Sequence, residues 1–287
     1  MNVQGYDCSI VIKTDYREID VPYSYETIRE AVSLLQEEAA IEGDGVCKGI
    51  KKASGVRGCV VTPLTIGTAP LLLYLAMGSI GKPVFVSETR NLYKRQLSLL
   101  PFEDTERFDL VQYRGDDRIL YEGCGVTGFE LRFLREEAVK LKLEIYGVNS
   151  PCSYPYSDLI KKEHGEKFFG DFITYQINGK EYKNIYGLTL SCKKEGSTKT
   201  EIWIRRVLEK GEELPNSIEE LVISARLIKD KYEYRHFGMF RITLKRLVFV
   251  TDETIVESTD AVIGSVKYCV YGTVLTDVFT STEEILP

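Results

Sequence analysis

The chain has 287 residues, 44% apolar and 28% charged, with a net charge of −6. That is enough for one large domain or two of ordinary size, in a globular and not a disordered composition. The acidic balance argues against a surface that wraps DNA, though not against a protein that must avoid sticking to it.

Tyr (18) and Phe (12) are plentiful against a single Trp, which suits pleated, half-buried surfaces. Seven cysteines, at 8, 47, 59, 124, 152, 192 and 269, form no C-x-x-C pair. His164 and His236 stand alone, so a metal site has poor material. The cysteines read as reduced thiols in a cytoplasmic setting. The start MNVQGYDCSIVIKTDYRE lacks a basic, then apolar, leader. The longest apolar stretch, around Ala69–Met77, is far short of the ~20 residues a bilayer needs. The expectation is a protein that neither crosses a membrane nor uses a signal peptide.

In chain order, residues 6–21 read as a strand or an arm, with alternation around Ile10 to Ile12. Residues 26–40 are ambiguous. Ile28, Val32, Leu35 and Ala39 lie at helical spacing behind a Thr27/Glu30 capping box, but Ala31–Leu34 equally suits a strand. Gly43–Gly58 is glycine-rich and basic. It lacks the phosphate-loop pattern G-x-x-x-x-G-K-[ST] and reads as turns and a loop carrying Lys48, Lys51 and Lys52. Cys59–Leu64 reads as a strand. Thr68–Gly78 is the clearest helix, with Thr68 as cap, Pro70 in the first turn and Gly78 as stop; it is apolar all round and so expected to be buried. Lys82–Val86 and Phe108–Tyr113 are strand-like.

The stretch Tyr121–Gly147 admits two readings. As a nucleotide-binding turn, Gly123-Cys124-Gly125-Val126-Thr127-Gly128 fits G-x-G-x-x-G. As a hairpin, Phe129, Leu131 and Phe133 alternate with Glu130 and Arg132. A charged turn at Arg135-Glu136-Glu137 then leads to Val139, Leu141, Leu143 and Ile145, alternating with Lys140, Lys142 and Glu144. The charge flanking Arg118–Glu122 is wrong for a central parallel strand, and no train of helices and strands follows. The hairpin is the better reading.

Val148–Gly170, rich in Pro, Ser, Gly and charge, reads as a linker. Beyond it the pattern is all-β. Phe172–Ile177 runs into Asn178-Gly179, a strong hairpin signal. Strands are expected at Tyr186–Cys192, Thr200–Leu208, Glu219–Leu227, Phe240–Val250 and Val266–Val274, with Leu221–Ser224 open to helix. A repeat at 59 residues aligns Val126–Phe133 with Ile185–Cys192. Continued without a gap, it sets Lys140 against Lys199, Leu143 against Ile202 and Ile145 against Ile204. Neither histidine has a partner at ligand spacing, and no G-x-S-x-G elbow occurs. No catalytic residue, metal or cofactor is expected.

With these features in order, the chain resembles the tail tube (major tail) proteins of bacteriophages and prophages, in their two-tube-domain form. The resemblance rests on GVRGCVVTPL running into the apolar helix ending at Met77-Gly78, on YEGCGVTGFELRFLREEAVKLKLEIYG, and on ITYQINGKEYKNIYGLTLSCKKE with the strands to Phe279. It implies a mainly β fold: two β-sandwich or barrel domains of similar design, 1–160 and 161–287, each with long hairpins, and a packed helix near 69–77 in the first. It implies self-assembly into trimeric pseudo-sixfold or hexameric rings that stack. Tape-measure and tail-terminator proteins would be partners, no membrane would be involved, and DNA would pass transiently through the lumen. The place would be the virion tail, assembled in the host bacterial cytoplasm.

Carried onto this sequence, the lumen or inter-subunit candidates are Glu130, Arg132, Lys140, Lys142 and Glu144 in the hairpin Val126–Ile145. In Ile185–Ile204 they are Thr189, Ser191, Lys199, Glu201 and Trp203. Their mixed signs suit pairing between neighbouring strands. Gly43–Gly58 and the N-terminal arm are ring-stacking candidates by the same resemblance. Two alternatives stand beside it: a dinucleotide-binding enzyme using Gly123–Gly128, and another β-rich protein, either a tail or baseplate component or a monomeric ligand-binding barrel.

Overall fold

Apolar and polar residues alternate along so much of this chain that strands take up most of it. The computed structural model describes residues 8–15, 17–35, 50–87, 92–114, 117–149, 151–154, 165–207, 213–226, 239–256 and 262–280. In order these form β1 (Cys8–Lys13), β2 (Glu18–Val21), β3 (Tyr25–Glu26), β4 (Arg29–Leu35), β5 (Ile50–Pro63), α1 (Ala69–Met77), β6 (Gly78–Ile80), β7 (Val84–Ser87) and β8 (Leu92–Leu99). There follow β9 (Phe108–Arg114), β10 (Asp117–Leu134), β11 (Lys140–Gly147), β12 (Cys152–Ser153), β13 (Ile173–Ile177) and β14 (Lys180–Glu181). The last are β15 (Ile185–Lys193), β16 (Lys199–Val207), β17 (Ser217–Arg226), β18 (Met239–Val256), β19 (Val262–Val270) and β20 (Val274–Thr280). The fold is mainly β, and the ladders among the described residues are antiparallel.

One long run of ladders passes β4–β5–β11–β10–β15–β16–β19–β18. A second passes β13–β17–β18–β20–β8, with β6 and β7 both on β8. A third joins β2, β1, β9 and the start of β10. Two strands of 18 residues, β10 and β18, are long enough to serve two of these runs each. The first part of β10 pairs with β9, and its second part lies between β11 and β15.

The core lies between the first two runs. Phe240 of β18 meets Phe133 of β10 at 6.3 Å and Phe168 at 5.0 Å between ring centroids. Helix α1 is buried at every position, as its all-round apolar sequence requires. Gly78 ends it in the left-handed conformation at φ 102°. Thr68 does not cap with its side chain: its hydroxyl shares a hydrogen bond with that of Thr65 at 2.9 Å. The main cluster of buried side chains runs from Ile10 to Val278, so both halves of the chain build one core.

Several expectations change. Of the two readings left open for 26–40, residues 29–35 take the strand: Ile28 is buried just before them and the Glu26 carboxylate accepts its N–H at 2.9 Å. Residues 50–58 of the expected loop belong to β5, while 43–49 lie outside the described residues. Glycine misled there because Gly58 is a close-approach residue within a strand; a Cβ on it would lie 2.5 Å from the Ile28 Cα. Residues 8–21 are a hairpin on β9, not a free arm. Part of the expected linker is structural: Phe168 is buried, and Thr65 and Ala138 bridge to Lys167 and Phe169. Leu221–Ser224, left open to helix, is strand as the wider reading of 219–227 had it, whereas the single strand expected over 266–274 is two, β19 and β20, turned at Tyr271–Thr273.

Candidate functional site: the polar face of two paired hairpins

Tyr121–Gly147 is a hairpin. Strand β10 pairs with β11 so that Phe129 faces Leu143, Glu130 faces Lys142 and Leu131 faces Leu141. The turn is closed by Glu136 at φ 64°. The stretch Gly123–Gly128 lies inside β10, with no helix after it. The N–H of Gly123 donates to the Asp109 carboxylate at 2.9 Å.

The repeat has a structural counterpart. β10 and β15 pair antiparallel with Leu131 opposite Leu190, the two residues the repeat aligns. An approximate two-fold axis therefore passes between them. Both hairpins carry a bulge at the matching place, at Thr127 between Val126 and Gly128 and at Tyr186 between Ile185 and Gly187. The bonds across the axis also match: Lys194 N–H donates to the Thr127 carbonyl at 2.8 Å, and Arg135 N–H to the Tyr186 carbonyl at 3.1 Å. The ungapped alignment fails in the return strands. Leu131 faces Leu141 but Leu190 faces Ile202, so the second hairpin is two residues longer at its turn. Because the slip is two residues, every side chain keeps its face.

All ten expected residues gather on one face. One row crosses the sheet as Lys140, Arg132, Thr189, Trp203 and Lys267. The next runs Lys142, Glu130, Ser191, Glu201 and Cys269, and a third holds Glu144, Gly128, Lys193 and Lys199. Alternate residues point into the core, where Leu131, Leu141, Leu190 and Ile202 are buried.

Charge on this face is largely paired within the chain. Glu201 receives Lys199 at 2.6 Å and Lys267 at 2.8 Å. These two hydrogen bonds, the one from Lys199 first, hold its carboxyl below the ordinary range. Lys142 bonds Glu144 at 2.8 Å, which raises its ammonium pKa. Lys140 bonds Glu137 at 2.9 Å and lowers that carboxyl, with smaller help from Arg132 and Arg205. Trp203 is half-buried, and the Lys267 ammonium lies 5.4 Å from its ring centroid. Lys267, Glu137, Arg205, Lys193 and Cys269 are among the members of this face that the sequence reading missed. Alternation in Val266-Lys267-Tyr268 marks Lys267 as surface-facing, but nothing local says that β19 lies beside β16.

The hairpin strands are not edges. β11 has β5 on its outer side and β16 has β19. A groove of about 310 Å³ opens beside the first bulge, lined by Thr27, Arg57, Cys59, Thr127, Glu144 and Glu195 among others. Among the described residues no group of three or more His, Cys, Asp or Glu side chains converges, and no helix is long and apolar enough to cross a membrane. His164 and His236 lie outside the described residues. Compared with known proteins, the chain matches no family model and no curated protein sequence.

Proposed function

We propose that this chain is a structural subunit of a phage-type tail tube. It assembles into stacked rings, with the face carrying Glu130, Arg132, Lys142, Glu201 and Trp203 turned to a lumen that conducts DNA. The observation that carries the reading is the band β11–β10–β15–β16, two long hairpins side by side with an apolar inner face and a polar face whose cations are mostly tied to the chain's own carboxylates. A conducting wall must be wetted yet must not trap phosphates. Lysines already bonded to glutamates meet both needs.

In this reading each half of the chain, 1–160 and 161–287, supplies one hairpin unit. The approximate two-fold axis bears on stoichiometry. Rotation about a tube axis keeps equivalent turns at the same end, whereas the pairing of β10 with β15 sets the two turns at opposite ends. The two hairpins are then not successive ring positions, which favours one chain per position, as in a hexameric ring, over the trimeric pseudo-sixfold one. Ring contacts fall to other surfaces, since β5 and β19 cover the hairpins. Tape-measure and terminator proteins as partners, and the virion tail as location, belong to the same proposal.

Negative-stain electron microscopy of the concentrated full chain tests it. Rings or hollow tubes of constant diameter are expected. A monodisperse monomer at every concentration, with a melting temperature raised by NAD or ATP, would overturn it in favour of the enzyme.

A further inference from the structure

The tripeptide Val-Phe-Val occurs twice, at Val84–Val86 in β7 and at Val248–Val250 in β18. Strand alternation should hide every second residue, yet all six are exposed: 59, 47 and 50% in the first and 46, 37 and 47% in the second. The two share local construction. Phe85 faces Tyr93 across its ladder and packs edge-on at 5.2 Å, and Phe249 faces Tyr268 and packs edge-on at 6.3 Å. A bulge falls on the last valine of each, between Phe85 and Ser87 and between Phe249 and Thr251. β17 reaches only to the pair Ser217–Val248, so that side of β18 has no ladder from Val250 onward among the described residues.

Exposed Lys82 precedes the first segment; the second has exposed Lys245 and Arg246 before it and exposed Asp252 and Glu253 after it. Laid antiparallel with Phe85 against Phe249, the segments bring Lys82 opposite Asp252. They are also far apart in one molecule. β7 connects through β8 and β20 to the Met239 end of β18, by Val84–Lys94, Lys94–Phe279 and Phe279–Met239. Val248 lies nine residues further along that strand, about 30 Å at ~3.3 Å per residue. One copy therefore presents two separate apolar patches, and the antiparallel register between copies sets a lysine of one against an aspartate of the other.

We propose that these are head-to-tail docking surfaces for a second copy of this chain, Val84–Val86 of one copy against Val248–Val250 of the next. The inference rests on the self-assembly reading above and names the surfaces it needs. The contact is led by side chains. Pro83 offers no N–H, and both bulges interrupt the strand edge, which keeps the contact from growing into an unlimited ladder. A heterologous contact of this kind closes into a ring if its rotation allows and otherwise forms an open chain.

Sedimentation velocity and electron microscopy of full-length Phe85→Asp and Phe249→Asp test it, with circular dichroism to check that each variant keeps the native fold. Each variant alone is expected to be monomeric, while a mixture of the two gives dimers, because each retains the surface the other lacks. Lys82→Asp and Asp252→Lys should each weaken association about threefold, and together restore it. Rings that persist in both Phe variants would overturn this inference and leave the tube reading standing. Open chains abolished by either variant would support it and remove the tube reading. A wild-type monomer at all concentrations would overturn both.

Discussion

Lys194 is the least conventional residue of the fold. Its side chain is fully buried, and its Nζ has no hydrogen-bond partner. Burial pushes its pKa from 10.5 down to about 8, with Cys192 a smaller opposing influence. Between those two values the unfolded chain holds a proton that the folded chain has released, so this residue makes stability rise with pH across that window. Cys124, Tyr175 and Tyr268 act oppositely: burial raises their pKa values, Cys124 to about 12, so their contribution falls as pH climbs through their unfolded values. Comparing a variant with wild type isolates Lys194. Lys194→Met should be more stable at pH 7 by on the order of 3 kcal/mol in urea unfolding, and the advantage should shrink between pH 8 and 10.5. A difference independent of pH would show that no charge is buried there. The sequence hid this residue because Lys193-Lys194-Glu195 looks like a solvated turn. Only by carrying strand alternation past Cys192 does Lys194 fall on the core face.

At the scale of elements, the matching bulges and the Leu131–Leu190 pair hold the centre of the long sheet. Leu131→Ala and Leu190→Ala should each cost about 2–5 kcal/mol, since both side chains are buried. Because they face each other across the axis, the double variant should depart from additivity by at least about 0.5 kcal/mol in a denaturant cycle. Strict additivity would mean that they do not act as a pair. Gly187 follows the second bulge, where a Cβ would lie 2.3 Å from Leu134 Cδ2 and 2.9 Å from the Phe133 carbonyl. Gly187→Val should therefore destabilise by about 1–3 kcal/mol, read as a lowered urea midpoint. Alternation and turn chemistry made both hairpins legible, and Gly128 and Gly187 aligned in the sequence repeat. The two-residue difference between the turns was not legible, because a period of two is blind to a slip of two.

At the scale of the whole molecule, two ladders among the described residues stitch the halves together, β10 with β15 and β8 with β20, and the core draws on both. Fragments 1–160 and 161–287 expressed separately should each lack dispersed amide NMR spectra, because each would expose a buried sheet face and unpaired strands. A well-dispersed spectrum from either fragment would show that it folds on its own. The sequence by itself determined strand against helix over most of the chain, the place and burial of α1, and the face on which each hairpin residue lies. Those are set by periodicity, turn residues and apolar content within a few neighbours. Only the tertiary structure decided that the glycines of 50–58 serve close approach within a strand and not a loop. It also decided that Phe168 leaves a linker-like stretch to reach Phe240, that β5 and β19 cover the hairpins, and that both Val-Phe-Val segments stand exposed. Strand order and cross-strand neighbours join residues far apart in the chain, and no local pattern of side chains encodes which strand will lie beside which.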